Sequence, residues 1–189
     1  MATFRALKSK TVRWRPVKGS GLEHLEVRSE KNAIVARSVV IGEYEGKPFG
    51  VRYGVTCDRR WVVRNLAIAT SDGRNIGFTS DGRGHWRDAK RRRPEFDGCI
   101  DVDLAGSPFT NTLPIRRLGL DVRHGPTEFA MLWFPFDTFE PFVDGQRYTC
   151  LQSRRLYRFE AVDGSFSADL PVDEDGFVLD YPTLFKRVS

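Results

Sequence analysis

The chain is poor in cysteine, with only Cys57, Cys99 and Cys150 in 189 residues. They are widely spaced, form no Cys-x-x-Cys pair and have no histidine at ligand spacing, so neither a disulfide scaffold nor a structural zinc site is supported. Each is flanked by strand-forming residues, which predicts buried, reduced packing thiols and fits a reducing compartment. No segment approaches the roughly 18 uninterrupted apolar residues of a membrane-spanning helix. The stretch from Met1 to Val17 carries Arg5, Lys8, Lys10, Arg13 and Arg15 but no apolar run of signal-peptide length. The expectation is a soluble protein without integral membrane association, cytoplasmic if bacterial. Internal repeats, Ser/Gly-rich or Pro-rich linkers and breaks in composition are also lacking, so residues 1–189 read as one domain.

Enzyme signatures are mostly missing. There is no Gly-x-Ser-x-Gly, no phosphate-cradling glycine loop, no His-Glu-x-x-His and no Gly-x-Gly-x-x-Gly after a strand. His24, His85 and His124 lie far apart, and a Cys99/His85 nucleophile pair rests on residue type alone. No cofactor is expected.

What the chain has in excess is arginine: 23 Arg and 7 Lys stand against 25 acidic residues, for a net charge of +5 and an isoelectric point near 9.3. A planar guanidinium suits carboxylates and phosphates, so the skew fits an anionic partner; an Arg-rich genome accounts for it equally. The densest positive run, Lys90-Arg91-Arg92-Arg93, reads as a solvated loop rather than a nucleic-acid contact, because aromatics do not alternate with the basic residues there. No recognised DNA or RNA motif occurs, and nucleic acid is not expected as a partner.

The dominant pattern is short alternating runs separated by turn residues. In Val51-Arg52-Tyr53-Gly54-Val55-Thr56-Cys57 the odd positions form an apolar face. Similar runs begin at Glu23, Ile34, Trp61, Asn75, Gly84, Cys99, Glu128, Gln146, Arg155, Ser165 and Gly176, with Asp-Gly clusters at 72–73, 81–82, 163–164 and 175–176 between many of them. About ten to twelve strands are predicted, in a mainly β fold: a single curled antiparallel sheet forming a β-roll or half-open barrel. One or two short helices are expected, near Pro114 to Leu118 and Pro182 to Arg187, with proline in the first turn. Such a sheet encloses either a filled core or a ligand cavity.

Several segments could carry chemistry. On a strand, Cys99, Asp101 and Asp103 share one face, and two carboxylates so placed need a cation between them, either a metal or an arginine such as Arg116 or Arg117. A structural Asp–Arg network is the plainer account. Phe139 and Phe142 flank a turn and suit a cavity mouth or a contact patch. Tyr148 and Tyr157 fall in runs that could be neighbouring strands, where they either pack across strands or, with Arg147, face a sugar or phosphate head.

The segment Gly98-Cys99-Ile100-Asp101-Val102-Asp103-Leu104 with Pro108-Phe109-Thr110-Asn111-Thr112-Leu113-Pro114-Ile115-Arg116-Arg117-Leu118 resembles the bacterial putative glycolipid-binding family. Supporting stretches are Arg13-Trp14-Arg15, Gly21-Leu22-Glu23, Tyr53, Asp58-Arg59-Arg60-Trp61, Gly82-Arg83-Gly84-His85-Trp86, Gln146-Arg147-Tyr148 and Asp175 to Pro182. The resemblance implies a curled antiparallel fold similar to lipoprotein-carrier proteins, with a hydrophobic cavity for a glycolipid or another amphiphile and no established catalytic residues. A non-catalytic binding protein is therefore the expectation, its apolar interior rimmed by Arg64, Arg116, Arg117, Arg147, Tyr148 and Tyr157, with Trp61 and Trp86 as stacking or wall residues. The alternative is a metal-dependent hydrolase of a phosphorylated or acylated small molecule, using Asp101, Asp103 and Arg116 or Arg117.

Overall fold

A computed structural model describes residues 4–44 and 46–188. Alternation of apolar and polar side chains sorts the strands into inward and outward faces. In β1 (Ser9–Pro16) Val12 and Trp14 point inward, in β2 (Leu22–Ser29) Glu23, Leu25 and Val27, and in β3 (Ala33–Tyr44) Ile34, Ala36, Ser38 and Val40. In β4 (Lys47–Asp58) the buried face is Val51, Tyr53, Val55 and Cys57. These strands continue through β5 (Val63–Thr70), β6 (Asn75–Ser80) and β7 (Trp86–Arg87). The chain end adds β13 (Asp180–Tyr181) and β14 (Phe185–Arg187), giving a nine-stranded curled antiparallel sheet of order β13-β14-β1-β2-β3-β4-β5-β6-β7.

A second sheet has the order β12 (Ser167–Pro171), β11 (Leu156–Ala161), β10 (Phe142–Gln152), β9 (Thr127–Phe134), β8 (Asp101–Leu104). Its pairs are antiparallel except β8 with β9, which run parallel. A parallel pair needs a crossover, and α1 (Phe109–Leu118) supplies it. Gly119, left-handed at φ 55°, ends the helix.

The mainly β class is as the alternation predicts, but the strands number fourteen among the described residues and divide between two sheets. The expected helix at Pro182 to Arg187 is corrected: Leu184 N–H donates to the Tyr181 carbonyl to close a turn, after which Phe185 pairs with Tyr181 as β14. Pro114 lies inside α1 rather than in its first turn. The run from Gly176 to Leu179 makes only an isolated bridge, Val172 with Val178.

The space between the sheets is a filled core. Trp14, Tyr53, Trp61, Phe78, Trp86 and Phe96 from the large sheet side meet Val102, Leu104, Phe109, Leu113 and Phe134. A second cluster, around Ile115, Tyr148, Tyr157, Phe159, Leu170 and Tyr181, packs on the other side of α1. The helix is thus wedged between two apolar clusters, and Phe109 through Ile115 are all buried. Cys57, Cys99 and Cys150 are buried free thiols.

Candidate functional site

Among the described residues of the large sheet, one charged side chain is fully buried on the inward face. Glu23, in phase with Leu25 and Val27, is 2% exposed. Register explains its surroundings: Glu23 lies opposite Val40, two residues beyond Ser38, and Ser38 lies opposite Tyr53. Three hydroxyls converge on one oxygen, Oε1: Tyr53 Oη donates at 2.6 Å, Ser107 Oγ at 2.8 Å and Ser38 Oγ at 2.9 Å. Ser107 comes from the loop between β8 and α1, so the cluster ties the two sheets together. The other oxygen, Oε2, is buried and has no partner among the described residues. Burial pushes the Glu23 carboxyl up to about 7, against the three donated hydrogen bonds. A buried polar atom left unbonded costs about 1–3 kcal/mol, more when charged, and it marks this position as one that a ligand could complete.

Glu23 lines a cavity of about 140 Å³, walled by Trp14, Val40, Ile41, Phe49, Phe136 and Phe185 and by the backbone at Ala105 and Gly106. It opens where β1 and β3 end, β2 and β4 begin, and the loops after β8 and β9 approach. Among the described residues, its ionisable carboxylates are Glu23 and Glu43, and no Lys, Arg or His lines it. The apolar residues Leu22, Ile41 and Tyr44 stand exposed at the mouth.

A second cavity of about 220 Å³ adjoins the first and shares Tyr44, Phe49 and Phe136 with it. It is more polar: Lys47, Ser71, Asp72, Arg74 and Asp137 line it together with Phe139. Phe49 and Phe136, edge to face at 5.4 Å, stand between the two, and Phe139 stacks on Phe136 at 5.5 Å under the Arg74 guanidinium. Two glycines permit this arrangement. A Cβ on Gly106 would meet the Phe136 ring at 2.5 Å, and one on Gly42 the Phe49 ring at 2.8 Å. The two cavities together lie at the low end of the roughly 300–1,000 Å³ usual for ligand pockets.

None of the eight residues expected at a ligand rim lines either cavity, and the structure does not bring them into one group. Trp61 and Arg116 meet, with the guanidinium 4.4 Å over the indole; Arg116 also donates to the carbonyls of Asp175 and Arg5. Arg64 bridges the Asp58 carboxylate and the Asp81 carbonyl. Trp86 is buried and donates from Nε1 to the Cys99 carbonyl at 2.7 Å. Arg147 lies on the surface of the small sheet between Glu128 and Glu160. Tyr148 is buried and donates to Asn111 Oδ1 at 2.8 Å, and Tyr157 is buried with its hydroxyl on the Leu120 carbonyl at 3.4 Å. Phe142 is half exposed against Trp133.

Arg117 grips Asp101. Asp103 accepts from Thr110 Oγ1 at 2.7 Å and from Gln146 Nε2 at 2.8 Å. In the basic run, Arg91 and Arg93 pair with Glu95, Arg93 also with Asp88, and Arg92 with Asp97.

Sequence reasoning missed Glu23, Ser38 and Ser107 as a site. A signal existed for the first: a glutamate in register with the apolar face Leu25–Val27, while His24, Glu26 and Arg28 take the other. Nothing local connects Ser107, 84 positions away, to it.

A family model described as putative glycolipid-binding matches residues 11–187. Among solved structures, a DUF1089-family protein from Pseudomonas aeruginosa is similar, at 38% identity and a TM-score of 0.78, over 88% of this chain and 92% of that one. No curated protein matches.

Proposed function

This chain belongs to the putative glycolipid-binding family, and from that premise we propose that it binds a glycolipid or another amphiphile in the paired cavities at one end of the filled core. The observation that carries the reading is the apolar cavity itself, open at one end of an otherwise filled core and floored by an incompletely bonded carboxyl. A 140 Å³ space suits a group about the size of benzene, since a dry engineered cavity of about 150 Å³ holds that molecule. A larger ligand would extend past Phe49 and Phe136 into the polar second cavity. Apolar contact supplies affinity at about 25 cal/mol per Å² buried, and polar groups at the floor and in the second cavity orient the head. In this reading Arg116, Arg117, Tyr148 and Tyr157 brace the fold. Native mass spectrometry after gentle purification, followed by a lipid and glycolipid panel, tests it: a retained amphiphile supports the reading, and displacement of that amphiphile by Phe136→Trp places it in the cleft. No bound species from either source counts against it.

A further inference from the structure

We propose that Glu23 Oε2 is the seat of a ligand's hydrogen-bond donor, so that the floor of the first cavity takes an O–H or N–H head and rejects an anionic one. The proposal rests on the cleft reading above and adds the polarity of what enters it. Three features of the site agree. First, Oε1 already accepts from Tyr53, Ser107 and Ser38, which leaves Oε2 as the free acceptor of the cluster. Second, a bare hydrocarbon chain filling the cavity would leave that oxygen unbonded, whereas a donor at the chain end completes it. Third, the charged side chains of the cavity are both acidic.

The groups facing Glu23 from each neighbouring element introduce no opposing charge. Trp14 from β1 and Val40 from β3 are uncharged and flank it in register. Ser38 from β3 and Ser107 from the loop after β8 are hydroxyls, Tyr53 from β4 is a neutral phenol, and Glu43 is the other carboxylate of the cavity. An anionic head at the floor would face an acidic wall with no cation among the described residues that line this first cavity.

The probes are three ligands of one chain length, octylamine, 1-octanol and octanoate, titrated calorimetrically into the full chain. Octylamine or octanol, or both, should bind at least tenfold tighter than octanoate at pH 8. The two donors are told apart by pH. Because the Glu23 carboxyl titrates near 7, a bound ammonium should lose about tenfold in affinity for each pH unit below that value; a hydroxyl, which bonds either state, should show little change. Glu23→Gln presents an amide N–H in place of Oε2 while keeping an acceptor for the three hydroxyls, and should invert the ranking in favour of octanoate. If that variant fails to fold, Ser107→Ala offers a milder perturbation: loss of one donor to the carboxyl should move the midpoint of the octylamine pH profile upward. Equal binding of all three ligands, or an unchanged ranking in Glu23→Gln, would overturn the proposal while leaving the cleft reading standing. If none of the three binds, both readings fall.

Discussion

Arg117 holds Asp101 in a two-pronged grip, its Nε donating to both carboxylate oxygens at 2.9 and 3.1 Å and its Nη2 to one of them. Asp101 is fully buried on β8, while Arg117 sits in the last turn of α1, where a cation also suits the helix dipole. The pair therefore fastens the crossover helix to the strand it follows. Burial raises the Asp101 carboxyl and the guanidinium opposes that rise.

Asp101→Asn should consequently unfold the protein at lower temperature rather than alter a reaction. Removing one member of a buried ion pair costs about 3–5 kcal/mol, which for a chain of this size is a fall in Tm of roughly 10 °C. Arg117→Lys should recover only part of the loss, since an ammonium cannot reproduce the planar fork. Thermal melts followed by circular dichroism decide this; an Asp101→Asn protein with unchanged Tm would contradict a bracing role.

The arginines singled out in the sequence should separate into two behaviours. Arg116 is largely buried over Trp61, and burial draws its guanidinium down to about 10. Its replacement by alanine removes two cation–π contacts, over Trp61 and Phe4, and two hydrogen bonds to carbonyls, so a loss of about 2–4 kcal/mol is expected. Arg147, on the exposed face of β10 between Glu128 and Glu160, should cost less than about 1 kcal/mol on the same change. Neither variant should weaken binding of an amphiphile in the cleft. A Kd that rises tenfold in folded Arg147→Ala would restore that residue to a ligand rim.

The difference between these arginines shows what alternation alone conveys. It located most of the strands, because β2, β3 and β4 bury every second residue along most of their length. It missed β1, whose inward Val12 and Trp14 follow a partly buried Lys10 and alternate with Thr11, Arg13 and Arg15, so that the segment reads as a basic terminus. It also missed most of α1: Thr110, Asn111 and Thr112 are polar yet buried, because the helix is enclosed on all sides and Thr110 and Asn111 bond to Asp103 and Tyr148. The candidate site was hidden for a related reason. Its carboxyl, its hydroxyls and its aromatic walls come from β1, β2, β3, β4, β14 and two loops of the other sheet, and only the packing of the sheets joins them.

Gly106→Ala should narrow the cleft by displacing the Phe136 ring. That ring is held between Phe49 and Phe139, so it cannot simply move aside, and overpacking of about 1–3 kcal/mol is expected. Gly42→Ala presses on Phe49, which is only partly buried and can swing toward solvent, so its cost should be smaller. Both should weaken 1-octanol binding in calorimetry, Gly106→Ala more than Gly42→Ala. Binding unchanged in both variants would place the ligand elsewhere on the molecule.

Stability should fall as pH rises through the range in which Glu23 is protonated in the folded chain but not in the unfolded one. Its carboxyl titrates near 7 when folded against an ordinary value of 4.5, so below pH 4.5 both states carry the proton and the full contribution is present. Between those limits the folded state binds more protons than the unfolded state, and the slope of unfolding free energy with pH is negative. The difference, at 1.36 kcal/mol per pH unit, amounts to about 3 kcal/mol lost by pH 7 and not lost further above it. Other carboxyls push the opposite way: Asp175, held near 2 by Arg5 and Lys10, gains stability as pH rises from that value toward 4. The Glu23 contribution is therefore read by subtraction, from chemical denaturation of wild type and Glu23→Gln at intervals from pH 4 to 8. The gap should close steadily between pH 4.5 and 7, in favour of the variant at the higher pH. A gap independent of pH would show that Glu23 ionises in the folded chain as it does in water, and that the floor of the cleft is wet.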